Sequence, residues 1–235
     1  MAAAGESAGA HLAMLTALTN GVGEHQPGYE EFDTSIDGVV DLFGPKDMVV
    51  GPRAFAKPAE LSRPWYLYPT DSLGFTGHYS DAASHATAMA LETVVVGAPN
   101  VPENRPLYEK ISPSCYLEKL DGPPVPWYAL IGSLDRLVDP EEAKACYGRF
   151  NAETRPPHVF HVLEGAQHGF VMFPSIRVSA ACDGAIALLD HLVKTHEASR
   201  RGEGDIGKAL PGELDSPLLA GPSEGSRVCC NQLQE

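Results

Sequence analysis

The sequence predicts an α/β fold, a mostly parallel sheet flanked by helices and gathered into one domain. Three observations predict it. Short apolar runs at 38–43, 126–131 and 158–163 are bounded by Gly or Pro, as buried strands are. Segments with helical spacing alternate with these runs, and strands that alternate with helices pair in parallel across the crossovers. At 235 residues and 43% hydrophobic content the chain can bury a single core.

Taken in order, the first element is helical. Ala8, Leu12, Leu15 and Leu18 recur at helical spacing with small residues between them, and Asn20-Gly21 ends the run. Gly38-Val39-Val40-Asp41-Leu42-Phe43 reads as a buried strand stopped by Gly44-Pro45. Residues 46–80 are rich in Pro, Gly and aromatics and predict irregular structure with short helices. The Ala, Met and Leu content of 81–96 predicts a helix, closed by Gly97 and Pro99. A strand follows at 126–131, then a helix over 140–150, a strand at 158–163 and a loop at 165–169. The last helix spans 178–196, with Ile186, Leu188, Leu189 and Leu192 on its inner side. The domain therefore covers 1–196. From 197 to 235 apolar density falls while Gly, Pro, Ser and charge rise, which predicts a disordered tail.

The net charge of −14 argues against nucleic acid or an anionic membrane surface as partner, since both reward clustered Lys and Arg. No apolar run approaches the roughly 20 residues of an integral membrane segment. The first residues lack the basic and long apolar regions of a signal peptide, so a cytoplasmic location is expected. The cysteines agree. Cys115, Cys146 and Cys182 are scattered, and Cys229 and Cys230 in the tail read as exposed free thiols, with no lipidation box or basic anchor beside them.

Gly5-Glu6-Ser7-Ala8-Gly9 fits the G-x-S-x-G turn that lifts a serine between a strand and a helix. Small residues are expected on both sides, because a side chain at Gly5 or Gly9 would hit its neighbours. The helix N-terminus behind the serine favours a developing oxyanion, and the Ala8 backbone N–H is the expected donor. An acid and then a histidine should follow, each in a loop after a strand. Asp135 and His168 stand in that order, past the strands ending near 131 and 163. Asp139 is the rival acid, but Asp139-Pro140-Glu141-Glu142 reads as a capping box, which gives Asp139 a structural task. His11, His158 and His161 read as packed or surface histidines. His78 and His85 lie near the aromatic stretch, where Trp65, Tyr66 and Tyr68 are candidate substrate-lining residues. No metal-ligand spacing and no phosphate-binding glycine loop is present, so no cofactor is expected.

With these residues in hand, the chain resembles the hormone-sensitive-lipase-like branch of the α/β-hydrolases, the fold-3 esterases. The likeness rests on the elbow from Gly5 to Ala13, the strand with its trailing Gly44-Pro45, Ser112-Pro113, Asp135, and Gln167-His168-Gly169-Phe170, and it covers about residues 1–196. It implies an esterase acting on a small ester through Ser7, His168 and Asp135. It also implies early strands and an oxyanion loop of the His-Gly-Gly-Gly type ahead of the elbow. Only Met1 to Ala4 stand there, so the expectation is a partial, N-terminally truncated α/β-hydrolase fold with weakened or lost activity. Two alternatives stay open. One is a serine peptidase of the prolyl-oligopeptidase type. The other is a non-catalytic fragment that binds a protein partner along an open sheet edge.

Overall fold

The computed structural model describes residues 1–49, 94–121, 123–135, 137–150, 158–172 and 174–202. Trp65, Tyr66, Tyr68, His78, His85, all but the last three residues of the helix expected at 81–96, and the tail from 203 lie outside the described residues; 94–96 are helical.

Among the described residues four strands form one sheet: β1 (Ala2–Glu6), β2 (Gly38–Leu42), β3 (Trp127–Gly132) and β4 (His158–Leu163). Their order is β1-β2-β3-β4 and every pair is parallel, with Ala2 opposite Gly38, Val39 opposite Trp127 and Trp127 opposite His158. Among the described residues the helices are α1 (Ala8–Leu18), α2 (Arg105–Lys110), α3 (Pro113–Leu117), α4 (Pro140–Tyr147) and α5 (Ile176–Arg200), besides the turn at 94–96.

β3 shows why the sheet is covered on both sides. Trp127-Tyr128-Ala129-Leu130-Ile131-Gly132 is buried at every position, as a parallel strand between two helical layers requires. Strand alternation sends Val39, Trp127 and Ala129 to one face, against Ala13, Met14 and Ala17 of α1 and against Leu117, Tyr147 and Phe150. Val40, Tyr128 and Leu130 go to the other, against Ala180, Ala181 and Leu188 of α5. Trp127 is fully buried, and an aromatic side chain so placed contributes roughly 3–5 kcal/mol.

Expected boundaries shift by a few residues. β3 starts and ends one residue late, and α4 stops at Tyr147 rather than 150. α5 begins at Ile176, where the Ser175 hydroxyl accepts from the Val178 N–H at 3.1 Å, and runs past 196 to Arg200, with Ala198 buried. Ile186 is not on its inner side: it is 55% exposed, while Leu188 is fully buried. The sequence reading did not anticipate α2 and α3, each of which carries a proline in its first turn, Pro106 and Pro113.

On its outer side β1 has no strand partner among the described residues, so the sheet has an open edge of small residues there. No described helix is long and apolar enough to cross a membrane.

Candidate active site

The carboxyl ends of all four strands face one rim, the usual place for a site in an open α/β sheet. Ser7 follows β1 directly. Its φ of 50° and ψ of −121° form a rarely populated conformation for a side-chain-bearing residue, costing about 1–3 kcal/mol. Two bonds hold it there: its N–H donates to the Leu42 carbonyl at 2.9 Å, and its carbonyl accepts from the His11 N–H at 3.1 Å.

A serine at a helix N-cap usually accepts from the first turn, but the Ser7 hydroxyl makes no such cap. It lies 2.9 Å from His168 Nε2 instead. The first amides of α1, Ala8 foremost, have no intrahelical acceptor and stand beside the half-buried serine. The space around the turn corrects one expectation. A Cβ at Gly5 would lie 2.3 Å from the Gly9 carbonyl carbon, so Gly5 is sterically required. A Cβ at Gly9 would meet nothing within 4 Å, because there the turn presses on the backbone rather than on side-chain space.

His168 sits in the loop after β4, and its Nδ1 is 2.8 Å from Asp135 Oδ2. The tautomer that serves both contacts carries its proton on Nδ1, donating to Asp135, and accepts from the Ser7 hydroxyl at Nε2. Asp135 Oδ1 accepts the N–H groups of Leu137 and Val138, each at 2.9 Å. Both side chains are buried. The two loops are strapped together by three bonds near 2.9 Å: Ser133 N–H to the Leu163 carbonyl, Leu134 N–H to the Ala166 carbonyl, and Gly165 N–H to the Ser133 hydroxyl. Gly132 permits the approach, since a Cβ there would stand 2.3 Å from the Ala166 oxygen.

Asp139 caps α4 by accepting from the Glu141 N–H at 3.0 Å, so it has the structural task expected of it. The capping box is only half present, because Glu142 turns elsewhere. Its Oε1 accepts from the backbone N–H groups of Lys46, at 2.8 Å, and Asp47.

The sequence reading missed a second buried polar group beside this rim. Asp41, at the end of β2, accepts from the Gly44 N–H at 3.0 Å, from the Lys46 ammonium at 2.8 Å and from the Tyr147 hydroxyl. The ammonium also donates to the Gly44 carbonyl. Lys46 is 1% exposed, and burial together with the Asp41 charge drives the Tyr147 phenol well above its usual range. The signal was available: an aspartate inside an apolar strand needs a buried partner. His11, read as ordinary packing, is buried with Nδ1 3.0 Å from the Pro45 carbonyl, and burial lowers its pKa. Phe43, beside the imidazole of His168, was read only as the end of a strand. Among the described residues no group of His, Cys, Asp and Glu could hold a metal ion.

Comparison with known proteins agrees with this architecture. Residues 1–150 match the BD-FAE family model. The Probable carboxylic ester hydrolase LipM of Mycobacterium tuberculosis is 28% identical over 202 residues, covering 86% of this chain and 39% of LipM. The structure of esterase B from Lactobacillus rhamnosis (HN001) superposes with a TM-score of 0.51 at 16% identity, over 84% of this chain and 54% of that one. That likeness shows the fold. The chain spans well under two thirds of the length of either protein.

Proposed function

The chain belongs to the BD-FAE family, and from that premise we propose that it is a serine hydrolase of carboxylic esters working through an acyl-enzyme. The family match sits among α/β-hydrolase esterases, and it names BD-FAE where the sequence resemblance pointed to the hormone-sensitive-lipase-like branch. The observation that carries the proposal is the continuous chain from Ser7 Oγ to His168 Nε2 at 2.9 Å and from His168 Nδ1 to Asp135 Oδ2 at 2.8 Å.

In this reading His168 takes the Ser7 proton as the oxygen attacks the ester carbonyl, and Asp135 steadies the imidazolium that forms. Negative charge grows on the carbonyl oxygen in front of the Ala8 N–H, at the positive end of α1. His168 then returns the proton to the departing alcohol, leaving the acyl group on Ser7, and a water activated by the same imidazole releases the acid. The substrate class is a short-chain or aryl ester. The esterase relatives favour an ester over the peptide of the prolyl-oligopeptidase alternative.

The test is labelling of the purified chain with a fluorophosphonate probe beside Ser7→Ala. Labelling that disappears in the variant is expected; a cooperatively folded wild type that never labels overturns the proposal. A second reading, an interaction module that pairs a partner's strand with the outer edge of β1, rests on that open edge. It predicts binding that survives Ser7→Ala.

A further inference from the structure

Each of the four strands delivers one side chain to the rim. Ser7 follows β1, Asp135 lies beyond β3 and His168 beyond β4, and these three share the proposed reaction. The residue that follows β2 is Phe43, which has no part in it.

The Phe43 ring lies 4.9 Å from the His168 ring, centroid to centroid, at an interplanar angle of 67°. It lies 5.1 Å from Phe170 at 66°. Both contacts have the edge-to-face geometry that aromatic quadrupoles favour. Phe43 is 2% exposed, yet its φ is 50°, a conformation an aromatic residue adopts only when its surroundings impose it. The surroundings are specific. The Phe43 N–H donates to the Leu130 carbonyl at 2.7 Å. The next residue, Gly44, is tied through its N–H to Asp41 and through its carbonyl to the Lys46 ammonium, which is itself paired with Asp41. The exit from β2 is thus pinned at Phe43 by β3 and at Gly44 by the Asp41–Lys46 pair, while Leu42 just before it accepts from the Ser7 N–H.

Hydrogen bonds at Nδ1 and Nε2 fix two points of an imidazole. The freedom that remains is rotation about the Cα–Cβ and Cβ–Cγ bonds, which swings the ring plane and misaligns both hydrogen bonds at once. A lateral contact removes that freedom. We infer that Phe43 is a positioning residue for His168, held in place by the buried Asp41–Lys46 pair, and that its ring keeps the imidazole in the one orientation that serves Ser7 and Asp135 together. The inference rests on the proposed roles of those three residues.

The test uses the full chain and does not depend on turnover. Proton NMR reads the low-field Nδ1–H signal of the His168–Asp135 bond, assigned by its loss in His168→Gln. Wild type should show a sharp signal. Phe43→Leu, which keeps apolar bulk and loses the ring, should broaden or lose it while the protein still unfolds cooperatively, and Phe43→Tyr should restore it. Phe43→Met serves as the aliphatic variant where leucine prevents folding. Where the chain hydrolyses p-nitrophenyl acetate, Phe43→Leu should lower kcat about 10-fold to 100-fold with KM little changed. A signal equally sharp in the folded aliphatic variant overturns the inference. So does a folded wild type without the signal, because no fixed ring then exists to be held. Absence of fluorophosphonate labelling with the signal intact counts against the hydrolase reading alone.

Discussion

Two buried aspartates stand at the carboxyl ends of neighbouring strands, and they are satisfied in opposite ways. Asp41 ends β2 and Asp135 lies just beyond β3; they are 1% and 3% exposed. Each has one oxygen turned to backbone amides, Gly44 for Asp41 and Leu137 with Val138 for Asp135. The other oxygen separates them. Asp135 faces an imidazole, a ring with a second nitrogen that reaches Ser7. Asp41 faces an ammonium and a phenol, both of them buried donors that lead to no further reactive group. The difference teaches that burial of a carboxylate is not itself a mark of chemistry. The partner decides whether the charge steadies a moving proton or locks a loop.

The sharpest way to break this comparison is to neutralise Asp135, the member placed in the proposed reaction. Asp135→Asn keeps the shape and can still accept from Leu137 and Val138, but it no longer selects the Nδ1–H tautomer of His168. We expect the rate of Ser7 labelling to fall by about 10⁴, the scale of the corresponding change in other serine hydrolases, with only a modest loss in Tm. Labelling rates and thermal unfolding on the same preparations check both halves. If labelling persists near the wild-type rate, Asp135 is as structural as Asp41.

The mirror experiment is Lys46→Met, which leaves Asp41 buried with no counter-charge. Breaking one side of a buried pair costs about 3–5 kcal/mol, much of a domain's whole stability. Urea unfolding should show the midpoint falling steeply. A change below about 1 kcal/mol would mean that Asp41 draws its stability from Gly44 and Tyr147 and that the ion pair is incidental.

The two aspartates also mark how far the sequence could be read. Asp135 was legible because local rules place it: a strand, a glycine, then an acid ahead of a second strand and His168 in fixed order. The elbow was legible for the same reason, since a serine between a strand and a helix with Gly5 before it is a local constraint. α1 matched its expected span because its punctuation is local too. Asp41 was passed over inside an apolar strand, although a charge there demands a partner. That partner, Lys46, is near in sequence, but Tyr147 comes from α4, more than a hundred residues away. Phe43 was invisible in its role, because what it touches is decided by the parallel register of β2 with β3 and of β3 with β4. Ile186 was assigned to the wrong face because α5 buries a narrower stripe than its apolar content suggests. Pairings across the sheet, unlike turns and caps, leave no signature at one place in the chain.

A third carboxylate sharpens the comparison, and its predicted effect is the smallest. Glu142 Oε1 accepts from the amides of Lys46 and Asp47 and makes no hydrogen bond to an ammonium. Burial pushes its pKa up to about 7 from an ordinary 4.5, outweighing the pull of the two amides and of the Lys46 charge. The folded protein therefore holds a proton on Glu142 between about pH 4.5 and 7 that the unfolded chain has already released. In that window folding loses stability from this group as pH rises; below 4.5 and above 7 its contribution is flat. The full excursion is at most about 3 kcal/mol. His11 works in the opposite sense, because its lowered pKa makes stability fall as pH drops below 6.5. A wild-type stability curve would mix the two. Subtracting it from the curve of Glu142→Gln cancels His11 and isolates Glu142, since the glutamine oxygen can accept from the same amides at every pH. The variant should gain on wild type steadily from pH 4.5 to 7 and hold that lead above it, as read by urea unfolding at four or five pH values. A difference that stays constant across that range would mean that burial does not hold a proton on Glu142 in the folded protein.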